Sequence, residues 1–325
     1  MALLCHSLSA ASVCLLKKRN LASRSEVGRA SWESPGQSWV RFRSMHDLVV
    51  RDGVIIDGSG SAQLTGDLAI NGGLVTAVGE IDGSGHREIN ADGQLILPGW
   101  VDVHTHYDGQ ATWDPEMSPS SWHGVTTAVF GNCGVGFAPV RRGSEEFLIN
   151  LMEGVEDIPG TVLAEGIDFT WQSYPEYLDV LESMPRVMDI GSQIPHGALR
   201  FFVMGERGAN HEEIPTVDEL SRFEQLIAEG FHAGALGFST SRTTKHKAAD
   251  GRLTPSLSAG DPELAAIAKA MRSSGTGVLQ VNSDFGPGEF EILLEAARIS
   301  QRPLSALIIQ VDHSPDLWRQ TLDQI

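Results

Sequence analysis

Residues 97–108 read Leu97-Pro98-Gly99-Trp100-Val101-Asp102-Val103-His104-Thr105-His106-Tyr107-Asp108. A short apolar run follows Pro98-Gly99 and ends in two histidines, His104 and His106. Residues two apart on an extended strand point to the same face, so both imidazoles can reach one ion. Imidazole nitrogens bind zinc, and catalytic zinc keeps one coordination position for water. The stretch therefore predicts a strand that ends in a metal site, with a metal-free polar strand end as the simpler alternative.

After Gly99, apolar strand-like runs alternate with helical stretches. The predicted strands span 100–104, 127–131, 187–194, 235–239, 277–281 and 304–311. The predicted helices span 145–156, 175–183, 217–229, 262–274, 289–300 and 316–324. Repeated βα units imply a parallel sheet, either doubly wound or closed into an eight-stranded barrel. We expect an α/β fold with an incomplete TIM-type (β/α)8 barrel of about six βα units.

Residues 45–97 carry short β-branched runs separated by glycine and aspartate. Asn71-Gly72 and Asp52-Gly53 lie between such runs, and both dipeptides favour the tight turn of a β-hairpin. We expect this segment to form a small antiparallel, β-sandwich-like domain. Residues 98–325 then make up the barrel domain.

Residues 1–44 differ in charge from the rest of the chain. They carry seven Lys/Arg and two Glu, which leaves 17 basic and 40 acidic residues after Ser44. An apolar stretch precedes the basic Lys17-Lys18-Arg19, whereas a secretory signal has the opposite order. The tail is interpreted as a mitochondrial transit-like segment or as disordered upstream sequence, with Met45 as the working start. The expected compartment is the cytoplasm, or the mitochondrion if the tail is a transit peptide.

The chain has 325 residues and a formal net charge of −18. Its composition excludes nucleic acids and membranes as partners. Nucleic-acid binding depends on basic patches, and the region after Ser44 is strongly acidic. No window reaches the roughly 18 to 20 uninterrupted apolar residues of a membrane helix. Cys5 and Cys14 lie in the tail, so Cys133 has no disulfide partner after Ser44 and a reducing compartment fits.

The run 96–106, preceded by a small β segment, resembles the start of the amidohydrolase superfamily. His123-Gly124-Val125-Thr126-Thr127 and Gly131-Asn132-Cys133-Gly134 resemble one branch of it, the N-acyl-D-amino-acid deacylases or D-aminoacylases. The resemblance extends from about Met45 to the C-terminus. It implies a hydrolase in which Zn2+ or another divalent metal activates water to cleave a linear amide C–N bond. The implied substrate is a small N-acyl-D-amino acid or a related amide, and the sequence specifies neither its acyl group nor the oligomeric state of the protein.

The resemblance also assigns a metal ligand to the cysteine of the Gly-Asn-Cys-Gly segment, which is Cys133. A thiolate is a strong zinc ligand, and Cys133 follows the second predicted barrel strand at the face where barrel enzymes react. The alternative is an inert, small buried residue, as free cysteine often is.

Three further residues are candidates for substrate binding. Ser239 and Arg242 belong to a run, Ala235 to Arg242, that resembles the family strand leading into the substrate pocket, and Arg242 could grip a carboxylate with two hydrogen bonds. The alternative is a solvated loop arginine. His196 follows the third predicted strand and is either a pocket residue or a strand-end histidine without such a role.

The sequence departs from the family pattern in two places. The deacylases supply a histidine ligand at the end of the fifth strand, whereas this chain reads Leu279-Gln280-Val281-Asn282-Ser283-Asp284. His313 is the candidate for the next histidine ligand, although Asp312 could equally be the functional group there. The family's acid-base aspartate belongs to the eighth strand, which we expect to lie beyond Ile325, so no catalytic residue is assigned.

Two other functions compete with linear amide hydrolysis. A cyclic-amide hydrolase of the dihydroorotase or hydantoinase kind shares the His-x-His entry, but such relatives usually carry a lysine after the fourth strand, where this chain has Ser239-Thr240-Ser241. The other is a catalytically inactive remnant that acts as a scaffold. Metal content distinguishes a remnant from an enzyme, because a remnant should bind less than stoichiometric zinc.

Overall fold

The computed structural model describes residues 45–324. The predictions for the tail, including its transit-like character, therefore lie outside the described residues. Residues 45–99 and residues 100–324 form two compact units. No helix in the described range is both long and apolar enough to cross a bilayer.

The first unit is a single five-stranded sheet. Its strands are β1 (Met45–Ile55), β2 (Leu64–Asn71), β3 (Leu74–Gly79), β4 (Ser84–Asn90) and β5 (Leu95–Ile96). The strand order is β3-β2-β1-β4, and β5 pairs with β1. β1, β2 and β3 are antiparallel, as the sequence predicts, but β4 and β5 run parallel to β1, so the antiparallel prediction is wrong for those two strands.

Of the two predicted hairpin turns, one is confirmed. Gly72 and Gly73 turn the chain between β2 and β3. Asp52-Gly53 instead lies inside β1, where the pairing register with β2 shifts between Val50 and Gly53. Asp52 has a φ of 59°, so this dipeptide uses its left-handed conformation to form a bulge rather than a turn.

The second unit is built on six parallel strands. They are β6 (Trp100–Asp102), β7 (Val125–Phe130), β8 (Asp189–Pro195), β9 (Gly237–Arg242), β10 (Val278–Ser283) and β11 (Leu304–Leu307). Neighbours in the sheet follow chain order from β6 to β11, with no reversal. A doubly wound sheet reverses its order at a switch point and a barrel does not, so the strand order favours the barrel. The prediction of six βα units is confirmed.

Besides three short 3-10 helices, eight α-helices lie in the described part of this unit. They are α1 (Glu145–Glu156), α2 (Gly160–Gly166), α3 (Tyr174–Ser183), α4 (His196–Met204), α5 (Val217–Ala233), α6 (Asp261–Ser274), α7 (Glu289–Ser300) and α8 (Leu317–Gln324). The sequence predicted all of them except α2 and α4. α3 and α5 begin with capping boxes, in which Ser173 and Thr216 accept from the backbone N–H three residues on.

The strands end close to the candidate functional residues. β6 stops at Asp102, two residues earlier than predicted, so both histidines lie in the loop that follows it. β9 extends through Arg242, beyond its predicted end at Ser239. Because all six strands are parallel, their carboxyl ends share one edge of the sheet, and the residues that follow β6, β7 and β9 are placed near one another.

Apolar side chains fill the space between the sheet and the helices. Ala128 and Phe130 of β7, Phe238 of β9 and Val281 of β10 are fully buried. The helices contribute buried residues at helical spacing: Leu148, Leu151 and Met152 from α1, Phe223 and Ile227 from α5, and Leu264, Ile267 and Met271 from α6. This core holds the strands in place, so that the positions of their carboxyl ends are well defined.

Candidate metal centre

His104 and His106 are positioned by the residue between them. The backbone N–H and the hydroxyl of Thr105 both donate to the carbonyl of Val129 near the end of β7, each at 2.9 Å. The backbone N–H of His104 donates to the side chain of Asp102 at 3.2 Å. With Thr105 fixed in this way, the two imidazoles lie with ring centroids 5.4 Å apart.

The Gly131–Gly134 turn after β7 carries the cysteine. Gly131, Cys133 and Gly134 have φ angles of 75°, 55° and 67°. A left-handed conformation is readily adopted by glycine and is uncommon for cysteine. A Cβ on Gly131 would lie 2.2 Å from the carbonyl oxygen of Gln193, so this position has no room for a side chain. Two glycines therefore allow a turn that projects the thiol of Cys133 into the site.

Side chains from three neighbouring strands hold this turn. Gln193 of β8 donates to the side-chain oxygen of Asn132 at 2.6 Å, and the hydroxyl of Ser239 in β9 accepts from the N–H of Gly134 at 2.9 Å. Gln280 of β10 accepts from the N–H of Cys133 at 2.8 Å. The strained conformation of the cysteine is thus fixed by hydrogen bonds from β8, β9 and β10.

The three predicted ligands converge. One ligand atom each from His104, His106 and Cys133 lies within 4.8 Å of the others, and His104 Nε2 is 3.2 Å from Cys133 Sγ. His106 Nδ1 is buried and has no hydrogen-bond partner among the described residues. Two imidazoles and a thiol form a donor set typical of zinc.

Two members of the cluster were missed by the sequence analysis. Ligand atoms of Cys133, Glu156 and His246 also lie within 4.8 Å of one another, so the two groups of three share the cysteine. Glu156 is the last residue of α1, and Glu156 Oε1 is 3.2 Å from His106 Nε2. His246 lies in the loop between β9 and α6. Two lysines flank it, a pattern typical of a solvent-exposed loop residue. The one sequence signal for Glu156 was its position. It is an acid at the C-terminus of a helix, where the helix dipole disfavours a negative charge.

Burial drives the cluster toward neutral side chains. It lowers the pKa of His106 to about 3, assisted by the nearby charges of His104 and His246. It also raises the pKa of Cys133 to about 12 and that of Glu156 to about 8, in both cases with help from neighbouring carboxyl groups. A neutral imidazole offers its lone pair to a metal, and a bound cation would favour the ionised thiol and carboxyl groups.

Asp108 is a buried carboxyl group beside the cluster. Burial raises its pKa to about 7, even though the backbone N–H of Gly131 opposes the shift. Its Oδ2 has no hydrogen-bond partner in the described part of the chain. The hydroxyl of Tyr177 donates to its main-chain carbonyl at 2.7 Å and so fixes its position.

His196 is the first residue of α4 and is completely buried. Its Nδ1 is 2.9 Å from the hydroxyl of Thr240, and its Nε2 is 2.9 Å from Glu263 Oε1. Arg200 Nε lies 3.2 Å from the same oxygen. The structure therefore places His196 in a buried polar network with two charged side chains, and its role in a substrate pocket stays a prediction.

Ser239 and Arg242 are both buried in β9. The hydroxyl of Ser239 supports the cysteine turn, since it donates to the carbonyl of Gly131 and accepts from Gly134. Arg242 Nε and Nη2 each donate to a different oxygen of Glu289, both at 2.7 Å. Arg242 thus binds a carboxylate through two hydrogen bonds, but that carboxylate belongs to Glu289 of the same chain. Substrate binding by Ser239 or Arg242 stays a prediction.

His313 does not join the cluster in this structure. It lies in an exposed turn between Val311 and Ser314, after β11 has ended at Leu307. Among the described residues, neither group of candidate metal ligands includes it. Its assignment as a ligand stays a prediction.

Fold and site together define a protein with a candidate metal centre at the carboxyl ends of parallel, barrel-ordered strands. The sequence profile of the Amidohydrolase family matches residues 87–324, which is more than half of the chain. The chain belongs to the amidohydrolase family.

Relatives of known sequence point to one branch of that family. The chain is 30% identical over 195 residues to a D-aminoacylase, and 32% identical over 195 residues to an N-acyl-D-aspartate deacylase, both from Alcaligenes xylosoxydans xylosoxydans. It is 36% identical over 200 residues to an uncharacterized protein of Mycobacterium bovis. Each match covers 60% of this chain but only 37%, 36% and 32% of the respective relative.

A solved structure of a D-aminoacylase shares the fold. It superposes with a TM-score of 0.65 at 26% sequence identity, over 82% of this chain and 52% of that chain. Two further D-aminoacylase structures match equally well, one described by its binuclear metal center and the other in complex with copper chloride. The incomplete TIM-type barrel is therefore confirmed, and the chain spans about half the length of this structural relative.

Proposed function

We propose that this chain carries the metal-binding half of a hydrolase that cleaves N-acyl-D-amino acids at the amide C–N bond. The observation that carries the proposal is the convergence of His104, His106 and Cys133. These residues come from two loops, after β6 and after β7, and both loops lie at the carboxyl ends of parallel strands. Barrel enzymes place their reacting groups at this end.

The residues fit a divalent cation such as Zn2+. Burial keeps the imidazoles neutral, His106 has a buried nitrogen without a partner, and Cys133 supplies a sulfur ligand. When bound, the cation would act as a Lewis acid that polarises the amide carbonyl and lowers the pKa of water. The protein contributes the fixed position of these donors, since Thr105 and the hydrogen bonds to the cysteine turn hold them in place.

The substrate class rests on the relatives. The names of these relatives, a D-aminoacylase and an N-acyl-D-aspartate deacylase, have in common a D-amino acid and an acyl group, and only the second specifies the side chain. We therefore assign this chain to N-acyl-D-amino acids as a class. β9 itself ends in Ser239-Thr240-Ser241-Arg242 without a lysine, which counts against a cyclic-amide hydrolase, although Lys245 follows three residues after the strand.

A binding experiment tests both the metal and the substrate class. Calorimetry would measure the affinity of the protein for a phosphonate analogue of an N-acetyl-D-amino acid, with zinc and with a chelator, and for the L enantiomer. We expect zinc to raise the affinity for the D analogue at least tenfold, and the D analogue to bind more tightly than the L analogue. The double variant His104→Ala/His106→Ala should lose the zinc effect.

The matched control is His86→Ala/His232→Ala, which removes two exposed histidines and should behave as the parent protein does. Equal affinity with zinc and with chelator would contradict the role of the metal. Tighter binding of the L analogue, or of a cyclic amide such as a hydantoin, would contradict the substrate class.

A further inference from the structure

His196 belongs to a buried network of polar side chains that has the order of a catalytic triad. Thr240 Oγ1 lies 2.9 Å from His196 Nδ1, and His196 Nε2 lies 2.9 Å from Glu263 Oε1. A hydroxyl, a histidine and a carboxylate in this order can activate a nucleophile. Here His196 and Thr240 are completely buried and Glu263 is 2% exposed, so the hydroxyl is closed to any substrate. The role of the buried network is therefore not nucleophilic catalysis.

The buried network fixes the orientation of the His196 ring. Burial lowers the pKa of His196, although Glu263 opposes the shift, so the imidazole is neutral and one of its nitrogens carries a proton. The carboxylate of Glu263 accepts, so Nε2 donates to it and Nδ1 accepts from the hydroxyl of Thr240. Arg200 Nε lies 3.2 Å from Glu263 Oε1 and offsets its charge. Side chains of α4 and α6 thus hold Thr240 of β9 through a ring that has a single orientation.

Thr240 lies next to a residue that supports the cysteine turn. Ser239 accepts from the N–H of Gly134 at 2.9 Å and donates to the carbonyl of Gly131. Neighbouring residues of a strand point to opposite faces, so Ser239 contacts the turn on one face of β9 while Thr240 contacts His196 on the other. A shift of Thr240 would carry Ser239 with it, because the two residues share a peptide bond.

The first turn of α4 contacts the cysteine turn directly. The N–H of Gly197, the residue after His196, donates to the carbonyl of Gly134 at 2.8 Å. A Cβ on Gly197 would lie 2.8 Å from the same oxygen, so α4 approaches the turn more closely than a larger residue would allow. Because His196 is anchored to Glu263 and Thr240, the start of this helix is held against the turn.

We propose that His196, fixed by Glu263 and bound to Thr240, is a positioning residue that holds the Cys133 thiol beside the histidines of the candidate metal centre. It acts through two contacts with the cysteine turn, one from β9 and one from the N-terminus of α4. Residues that orient a metal ligand without touching the metal typically contribute about 10- to 100-fold to metal affinity. The inference rests on the proposed function where it concerns metal affinity, whereas the position of the thiol can be measured in the metal-free protein.

Alkylation of Cys133 by iodoacetamide tests the position of the thiol in the metal-free protein. The full chain would carry Cys5→Ser and Cys14→Ser, so that Cys133 is the one remaining thiol. Thr240→Val removes the hydroxyl and keeps the shape of the side chain, whereas Thr240→Ser keeps the hydroxyl. We expect alkylation to be at least about tenfold faster in Thr240→Val, because the buried Nδ1 loses its donor. Thr240→Ser should react at nearly the parent rate.

The affinity for Co2+ tests the consequence for the metal centre, and the absorption of Co2+–thiolate reports on the cysteine. We expect the dissociation constant to rise at least about tenfold in Thr240→Val, while Thr240→Ser should bind Co2+ as the parent does. His196→Gln keeps a donor for Glu263, and His196→Asn keeps an acceptor for Thr240. Each breaks one end of the buried network, so both should weaken Co2+ binding in the same way. Thr161→Val, which removes an exposed hydroxyl of α2, is the matched control and should leave both readouts unchanged.

Urea distinguishes a loosened turn from a variant that unfolds. Local opening of the turn gives an alkylation rate that depends little on low concentrations of urea, whereas global unfolding gives a rate that increases with the slope of the unfolding transition. A faster rate with the full slope would overturn the positioning role. A lower free energy of unfolding with both readouts unchanged would overturn it as well, since the network would then be purely structural.

Two further outcomes concern the hydroxyl and the proposed function. Alkylation as fast in Thr240→Ser as in Thr240→Val would overturn the positioning role, because the hydroxyl would then not be the group that matters. A parent protein that binds no Co2+, with alkylation still faster in Thr240→Val than in Thr240→Ser, would overturn the proposed function and support the positioning role.

Discussion

Cys133 shows how a single residue can be placed by its neighbours. Its φ of 55° lies in a region that non-glycine residues adopt at a cost of about 1–2 kcal/mol. The turn is retained because Gln193, Ser239 and Gln280 satisfy its polar groups from three strands. Backbone strain supported in this manner is characteristic of functional sites.

Gly131→Ala should destabilise the second unit strongly. The new Cβ would meet the carbonyl oxygen of Gln193 at 2.2 Å, and backbone atoms cannot move aside as a flexible side chain can. Gly143→Ala is the matched control, because Gly143 has a similar φ of 81° and nothing within 4 Å of its Cβ position. Urea denaturation should show a loss of about 1 kcal/mol for the control and at least about 2 kcal/mol more for Gly131→Ala. Equal losses would show that the close approach is relieved easily.

The buried His196 should make stability depend on pH. Burial lowers its pKa in the folded protein, although Glu263 opposes the shift. Below pH 6.5, the ordinary value, the unfolded chain takes up a proton that the folded chain does not, so stability falls as the pH falls. His196→Gln should remove this contribution. The free energy of unfolding should then fall less steeply between pH 7.5 and 5.5, with a slope that differs by at most about 1.4 kcal/mol per pH unit.

The measurement is the free energy of unfolding in urea at several pH values. His232→Gln, at an exposed position of α5, is the control for the loss of one imidazole. An unchanged pH slope in His196→Gln would mean that the folded protein protonates His196 as readily as the unfolded chain does.

At the scale of elements, Arg242 joins two of them. It lies in β9 and its guanidinium contacts Glu289, the first residue of α7, while Nη1 donates to the carbonyl of Ala259 at 2.6 Å. The acid at the N-terminus of α7 is also favoured by the helix dipole. The sequence showed that Arg242 could bind a carboxylate, but only the fold shows which carboxylate lies within reach.

Arg242→Lys should weaken this connection. Lysine keeps the charge but cannot donate two parallel hydrogen bonds to Glu289, so we expect a loss of about 2 kcal/mol in the free energy of unfolding. Arg298→Lys is the control, because Arg298 pairs with Glu295 at 3.8 Å on an exposed surface and should lose less than about 0.5 kcal/mol. Similar values for the two variants in urea denaturation would contradict a structural role for the Arg242 pair.

For the whole molecule, metal binding should increase the free energy of unfolding. A ligand that binds only the folded chain stabilises it by about 2.7 kcal/mol at a free concentration 100 times its dissociation constant. We expect zinc to raise the melting temperature of the parent protein and a chelator to lower it. His104→Ala/His106→Ala should lose most of this response, whereas His86→Ala/His232→Ala should keep it. A response that persists in the first variant would place the zinc elsewhere.

Much of the second unit follows from local patterns. The alternation of strands and helices predicted six parallel strands, because each βα unit buries its own apolar face against the sheet. α4 was not predicted because it begins directly at the end of β8, with no loop or side-chain cap to mark it. Asp52-Gly53 predicts a turn from its sequence alone, because the same left-handed conformation serves turns and bulges, and only pairing with β2 distinguishes them.

The sequence by itself determined the family, the alternation of strands and helices, and three candidate metal ligands, whereas the strand order that favours the barrel came from the structure. His104 and His106 could be predicted because they end a strand-like run, and Cys133 because of the family resemblance and its place after the next strand. Parallel strands bring such positions to one edge. Only the tertiary structure decided the rest. Glu156 and His246 lie at a helix end and within a long loop, where the local pattern does not specify how far a side chain is from the sheet. Their places depend on how α1 and the β9–α6 loop pack, and that is a property of contacts between residues far apart in the chain.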